Sequence, residues 1–405
     1  MKIHRLLTAS LLGVGLGLSL PAMAANQVYI TGSTAFRSQS FLAIKATFDG
    51  GNPQLAARGG SAASGNNASY MLFHGNIGGV ETYIDCHWSG SEDGIASVAQ
   101  PGSNPSYFLK TDGTVPYTIG STNPSSAETN SAPNTPDLCF ADSSQVVSLT
   151  KTPALIPQGS GTPAGSVGVV PFVWVKNKQS NPSAAWLRLT NITDSLARIA
   201  LAGPNLAASF TGNVSDTNQY VYVVGRNNRS GTRVDTLAAC RYGITKSVDQ
   251  WAIGGFPTSD GVTLALTEVV NDGYDSGGSV ANALKIDGSC QQTDPIFGNA
   301  GWFAIGYVGI GDANTLLSNG GVWLTYNGVP YSNGAVEEGQ YSFWNHEYLF
   351  GRVGITGFAA TYGAALAAAV PAQLGGANPA AQDTSIKDSL MHADKPSDTG
   401  DPFHL

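Results

Sequence analysis

Three times in this chain a run of strand-forming residues stops at a short Gly/Ser/Thr turn and a helical pattern begins. The turns are "TGSTAF" (31–36), "WSGSEDG" (88–94) and "RNNRSGTR" (226–233). Repeated strand–turn–helix units constrain the fold strongly: parallel strands need long crossovers, usually helical, so the pattern predicts an α/β chain. The turns also carry chemistry. The first turn of a helix leaves backbone N–H groups without partners and bears partial positive charge, so it receives an anion well; Ser and Thr hydroxyls add donors, and Gly lets the backbone come close. One such turn is most often an ordinary helix cap. Three in one chain, the last flanked by a Val-rich strand and carrying Arg226, point to an oxyanion held between helix ends, where each hydrogen bond from a guanidinium contributes about 1.5–3 kcal/mol.

The rest of the chain fits that alternation. "NQVYITGSTAFRSQSFLAIKATF" reads as a strand to Ile30 and a helix with Phe41, Ile44 and Phe48 on one face. "SVGVVPFVWVKNK" is the strongest strand signal, of the kind buried on both faces of a sheet. "LTNITDSLARIALAG" predicts a helix from Thr190 or Asn191, "GWFAIGYVGIG" a strand, and 357–370 a last apolar helix. Residues 100–136, rich in Ser, Thr, Asn, Pro and Gly, read as a long surface loop, and 375–405 as a polar, disordered tail. At roughly 150 residues per domain, 405 residues make two domains or one large one.

The N-terminus carries Lys2 and Arg5, an apolar run over 6–20 and Ala22-Met23-Ala24, the pattern of a cleaved signal peptide over 1–24. No Cys follows that site closely and no later apolar run is long enough to span a bilayer, so the expected product is exported, in the periplasm or secreted. Cys86, Cys139, Cys240 and Cys290 suit an oxidising compartment; the preferred pairing is Cys86 with Cys139 and Cys240 with Cys290, with free buried thiols as the alternative. Their spacing does not match a zinc site, and no metal or cofactor is expected. A net charge of −8 argues against nucleic acid and anionic membrane as partners, so any anion site has to be made locally. The motifs of nucleophile elbows, phosphate-cradling loops, dinucleotide folds and zinc proteases are missing, and an enzyme is not expected.

With these residues in view, the chain resembles the periplasmic phosphate-binding proteins of phosphate ABC transporters, a branch of the two-domain periplasmic binding protein superfamily. The similarity runs over about 28–308. "VGRNNRSGTR" looks like that family's Arg-x-x-x-Ser-Gly-Thr signature; "ITGSTAF", "SGSEDGI" and "DLCFADSS" resemble its other ligand segments, and "WFAIGYVGIGDA" its Ala-Ile-Gly-Tyr-Val strand. The resemblance implies ligand contacts from Ser33, Thr34, Ala35, Ser91 and Asp142 on one side, and from Arg226, Ser230, Gly231 and Thr232 on the other. A carboxylate such as Asp142 only accepts hydrogen bonds, so it suits a protonated phosphate and repels fully ionised sulfate. Glu92 and Asp93 stand where the family usually has Gly and Ser, and Ala35 where an aromatic is frequent.

The expectation is a type II periplasmic binding protein fold, each domain a mostly parallel sheet flanked by helices with the ligand cleft between them. Domain I would comprise 25–170 plus 340–374 and domain II 171–339. The expected function is capture of phosphate or a related oxyanion, followed by docking on a membrane ABC permease. The rival is a secreted surface or matrix protein that uses the same fold structurally, and the discriminator is whether Asp142 and Arg226 converge.

Overall fold

The computed structural model describes residues 24–59, 65–111, 132–258, 261–286, 294, 296–298, 301–375 and 384–405. Residues 1–23 of the expected signal peptide, the middle of the 100–136 loop and Cys290 lie outside the described residues. In chain order the principal elements are β1 (Asn26–Gly32), α1 (Arg37–Thr47), β2 (Gln54–Arg58), β3 (Tyr70–Ile77), β4 (Val80–His87), α2 (Ser91–Ala99), β5 (Leu138–Ala141), β6 (Ser166–Lys176), α3 (Asp194–Leu201), β7 (Gln219–Val224), α4 (Gly231–Ala239), the hairpin β8 (Trp251–Thr258) and β9 (Gly261–Glu268), α5 (Gly277–Leu284), β10 (Gly301–Gly309), α6 (Ile310–Leu317), β11 (Trp344–Gly351) and α7 (Gly357–Ala369).

The fold is mixed α/β around a sheet of twelve strands among the described residues, whose nine principal strands follow the order β2-β3-β4-β1-β5-β11-β6-β10-β7, with the short strands Ile156–Pro157, Asn205–Leu206 and Val322–Trp323 added at β11, β7 and β6. In one half β1 runs parallel to β4 and β5; in the other, β7 runs parallel to β10. Helices follow the C-terminal ends of these strands, and ligands of open α/β sheets bind just outside such ends. The antiparallel strands β6 and β11 carry the chain between the halves. Val-rich β6 is buried at all eleven positions; it pairs with β11 up to Pro171 and with β10 from Phe172 onward. A proline inside a central strand leaves a gap in the ladder because it lacks an N–H. Here it falls where β6 changes neighbours.

Glycine is required at the first turn. Gly32 has φ of +118°, and a Cβ there would sit 1.9 Å from the carbonyl oxygen of Phe140. This close approach lets Ser33 donate its backbone N–H to that oxygen at 2.8 Å, which fixes the "TGS" turn against β5.

Three expectations are corrected. The helix expected from Thr190 or Asn191 starts at Asp194, because Thr193 caps it with a side-chain oxygen that accepts from Leu196 N–H at 3.2 Å, while Asn191–Ile192 pair with Thr325–Tyr326. The tail over 384–405 is packed, not disordered: Ile386 exchanges backbone hydrogen bonds with Val169 of β6 at 2.8 and 2.9 Å, and Ile386, Met391 and Ala393 are buried. Cys86, Cys139 and Cys240 are free buried thiols. Cys86 lies on β4 beside Ile30 and Cys139 on β5 beside Thr31, with β1 between them. Two interstrand steps separate their Cα atoms by about 10 Å, beyond the ~7 Å limit of a disulfide. Their side chains also pack into different clusters, Cys86 with Ile30 and Phe73, Cys139 with Ile95 and Phe350.

Candidate functional site

Asp142 follows β5 directly, and the fold brings the N-terminal turns of α2 and α4 onto it. Its Oδ1 accepts from the Ser91 hydroxyl, its Oδ2 from the Thr232 hydroxyl at 3.0 Å, and its own N–H donates to Ser91 Oγ at 3.2 Å. Ser91 and Thr232 thus reach one carboxyl group from opposite halves. Gly231 makes the approach possible: a Cβ there would lie 1.7 Å from Asp142 Oδ1 and 2.6 Å from Ser91 Cβ. Ser230 is the α4 cap, accepting from Arg233 N–H at 3.2 Å. The carboxyl group is buried, and desolvation raises its pKa against the opposing effects of the Ser91 and Thr232 hydrogen bonds and the Arg226 charge.

Arg226 leaves the end of β7 and is also buried, 2% exposed. Its Nε donates to the Tyr274 carbonyl at 3.3 Å, and Nη2 donates to the Asp275 carbonyl at 2.9 Å and to Thr34 Oγ1 at 3.1 Å. Two carbonyls therefore hold the guanidinium in place, and Thr34, on the turn before α1, joins it across the halves. Arg226 faces the charges of Asp142, Asp312 and Asp275. Ala35 adjoins Thr34, with its Cβ near Gly309 at the end of β10.

Ser33 takes a different partner from its neighbours. Its oxygen accepts from Phe36 N–H at 3.3 Å, and its hydroxyl donates to Glu347 Oε2 at 3.3 Å. Glu347, on β11, is fully buried, and its Oε1 has no partner among the described residues. Beside it Asn345 donates to Asp235 Oδ1 at 2.7 Å, leaving Asp235 Oδ2 and Asn345 Oδ1 unpartnered among the described residues. Burial, with the Asp142 charge adding to it, pushes both Glu347 and Asp235 well above the usual carboxylate range. The sequence reading did not single out these acids, Glu347 inside the strand segment "FWNHEYLF" and Asp235 on α4.

Glu92 and Asp93 do not crowd Asp142 and Arg226. Glu92 turns away into a set of donors, accepting from Ser143 at 3.2 Å, Ser148 at 2.9 Å and Leu149 N–H at 2.7 Å. Asp93 lies 3.8 Å from the exposed Arg229. The backbone amides of Glu92 and Asp93 donate to the Arg229 carbonyl at 3.0 and 3.4 Å, a direct tie between the halves. The halves are therefore closed on each other at this point.

The arrangement groups a buried guanidinium, hydroxyls from both halves and a carboxyl acceptor at strand and helix ends. Known proteins were compared with the whole chain. No protein-family model and no curated protein matches it. Among solved structures, a protein from Clostridium perfringens assigned as a phosphate ABC transporter substrate-binding protein, with bound phosphate, is similar at 13% identity and a TM-score of 0.44, covering 89% of this chain and 99% of its own. An ABC-type phosphate transport receptor from Vibrio cholerae is similar at 13% identity and a TM-score of 0.40, covering 84% and 93%. Likenesses of this size leave the function of the cleft to its own chemistry.

Proposed function

We propose that this is an exported binding protein that captures phosphate, or a closely related oxyanion, between two hinged domains and delivers it to a membrane ABC permease. Domain I would comprise 25–170 with 340–374 and domain II 171–339, with β6 and β11 as the connection. The observation that carries the reading is the convergence of Asp142, Ser91 and Thr34 from one half with Thr232 and Arg226 from the other, both charged members buried. A structural protein has no need to bury an arginine and an acid at one junction of its two halves. The Asp142 carboxyl group would accept a hydrogen bond from a protonated phosphate, Arg226 and Thr34 would donate to its other oxygens, and Ser91 and Thr232 would do so by turning their single hydroxyl protons from Asp142 to the ligand, with the amides of Ala35 and Gly231 close by. Sulfate brings no proton and would leave the acid unpaired.

Titration calorimetry of ligand-stripped protein with phosphate, with sulfate as control, tests this. Wild type is expected to prefer phosphate by about tenfold or more, the worth of one hydrogen bond to a charged group. Asp142→Asn, whose amide can donate to sulfate, is expected to narrow that preference. Heat from neither anion sinks the transport reading and leaves the surface-protein rival.

A further inference from the structure

The anion seat does not end at Thr34. Two adjoining cavities of ≈ 250 and ≈ 420 Å³ open between the halves; the first begins at Thr34 and Ala35, and both are lined by Arg37, Asn67, Asp312 and Thr315. The larger alone lies in the roughly 300–1,000 Å³ range of small-molecule sites. A bare phosphate, met by Arg226 and the hydroxyls around Asp142, uses none of this space. The lining is specific in character. Ser276, Ser279 and Asn282 add hydroxyl and amide groups, and the charges offset one another, with Arg37 faced by Asp312 and Asp275, and Lys285 by Asp312. A groove of that kind suits an uncharged polyhydroxylated group, and disfavours both an apolar group and a second strong charge.

We propose that the ligand is a phosphate monoester of a polyol, a sugar phosphate or glycerol phosphate, with its phosphoryl group on the Asp142–Arg226 seat and its hydroxyls in this groove. The proposal rests on the reading of that seat as a phosphoryl site.

It carries a second consequence, in protons. A monoester loses its last proton with a pKa near 6, so near neutral pH it has no P–OH to give Asp142, whereas inorganic phosphate still has one. The ester then binds only if Asp142 holds the proton and donates it. Burial favours the proton on Asp142, the Ser91 and Thr232 hydroxyls and Arg226 favour the carboxylate, and the raised acids Glu92, Glu347 and Asp235 also face it. Ester binding therefore takes up a proton and weakens as pH rises, while phosphate binding holds.

The test is calorimetry of the mature protein with sn-glycerol 3-phosphate, glucose 6-phosphate, inorganic phosphate and glucose, at several pH values, on wild type and Thr315→Trp. Thr315 is exposed on α6 and outside the anion seat, so a tryptophan there fills the groove alone. The expected result is an ester bound about tenfold or more tighter than inorganic phosphate at mildly acidic pH, an advantage shrinking with pH, and its loss in Thr315→Trp with phosphate affinity kept. Retained phosphate binding shows that the variant folds; where it does not fold, Asn282→Leu replaces it. Inorganic phosphate binding as tightly as both esters in wild type, or an ester advantage that survives a filled groove, overturns the proposal while the phosphate reading stands. Binding of neither overturns the seat itself.

Discussion

His346 and Glu347 are consecutive residues on β11, both buried, and the pleat sends them to opposite faces of the sheet. On one face, His346 Nε2 meets Asp394 at 3.0 Å, and Nδ1 meets Ser166 Oγ at 3.2 Å and Asp388 at 3.4 Å. On the other, Glu347 has one hydroxyl partner, Ser33, and one free oxygen among the described residues. Burial pushes both groups towards neutrality. It lowers the His346 pKa, but hydrogen bonds and charges from the two aspartates outweigh it and the net shift is upward. For Glu347 burial raises the pKa, Asp142 raises it further, and Ser33 offsets little. The comparison separates two uses of a buried charge. Both His346 ring nitrogens are met by side chains of the chain itself, whereas the Glu347 face, continuous with Asp142 and Asp235, keeps buried acceptors without partners among the described residues.

The largest expected effect breaks the cleft face alone. Arg226→Met removes the guanidinium while keeping much of the side-chain volume. With two hydrogen bonds to a phosphoryl oxygen at about 1.5–3 kcal/mol each, phosphate affinity should fall by roughly 10²–10⁴-fold. Arg226→Lys should recover only part of it, since a point charge lacks the planar fork. Calorimetry on variants whose folding is checked by circular dichroism measures this; a loss below tenfold would remove Arg226 from the site.

The second effect reverses the roles. Deleting 384–405 strips the His346 face of Asp388 and Asp394 and exposes the strand surface that Ile386, Met391 and Ala393 cover. Two large apolar side chains at about 1.5–3 kcal/mol each set the scale, so a stability loss of about 3–6 kcal/mol is expected. Phosphate affinity should change less than the stability does. Denaturant unfolding with calorimetry on the same sample decides; a truncated protein of unchanged stability would make the packed segment an ornament.

The contrast between the faces also explains what could be read from the sequence. The three Gly/Ser/Thr turns, Arg226, Asp142 and the alternation of strand and helix were legible, because each rests on local chemistry: φ above zero at Gly32, a helix cap at Ser230, a Val-rich run in β6. Glu347 and Asp235 were not, because their significance arises only when β11 and α4 meet. The packed segment over 384–405 was misread because its composition is polar; its order comes from a few residues, Ile386 on the β6 edge and Asp388 and Asp394 on His346, spaced without helical or strand period. The cysteine pairing failed for a related reason. An even count says nothing of strand order, and β1 lies between the two residues.

A smaller effect sharpens the comparison through pH. His346 has a folded pKa above its unfolded value of about 6.5, so its contribution is fully present below about pH 6.5 and is lost as pH rises through the folded value. Glu347 and Asp235 are also raised, so folding favours their protonated forms, and their contribution declines as pH climbs above about 4 towards their folded values. Both faces therefore lower stability with rising pH, in windows that start about two units apart. His346→Gln should flatten the upper window and Glu347→Gln the lower. Melting curves across pH on both variants measure it; a variant that flattens the other residue's window would mean that the two faces are coupled.

The smallest expected effect is none at all, and it tests the sheet under both faces. Cys86 and Cys139 lie on either side of β1, packed into different clusters, and burial pushes both thiols up, so neither should react or pair in the folded protein. The melting midpoint should be the same with and without reductant, and a thiol reagent should label neither residue until denaturant is added. Peptide mapping by mass spectrometry reads both. The same alignment that separates these thiols, Ile30 beside Cys86 on one edge of β1 and Thr31 beside Cys139 on the other, also sets Ser33 against β5 and Asp142 at its end. A Cys86–Cys139 linked peptide from native protein would therefore require β4 and β5 to be neighbours, and with β1 displaced the turn that holds Ser33 against β5 and the turn that brings Ser91 to Asp142 would no longer be set side by side.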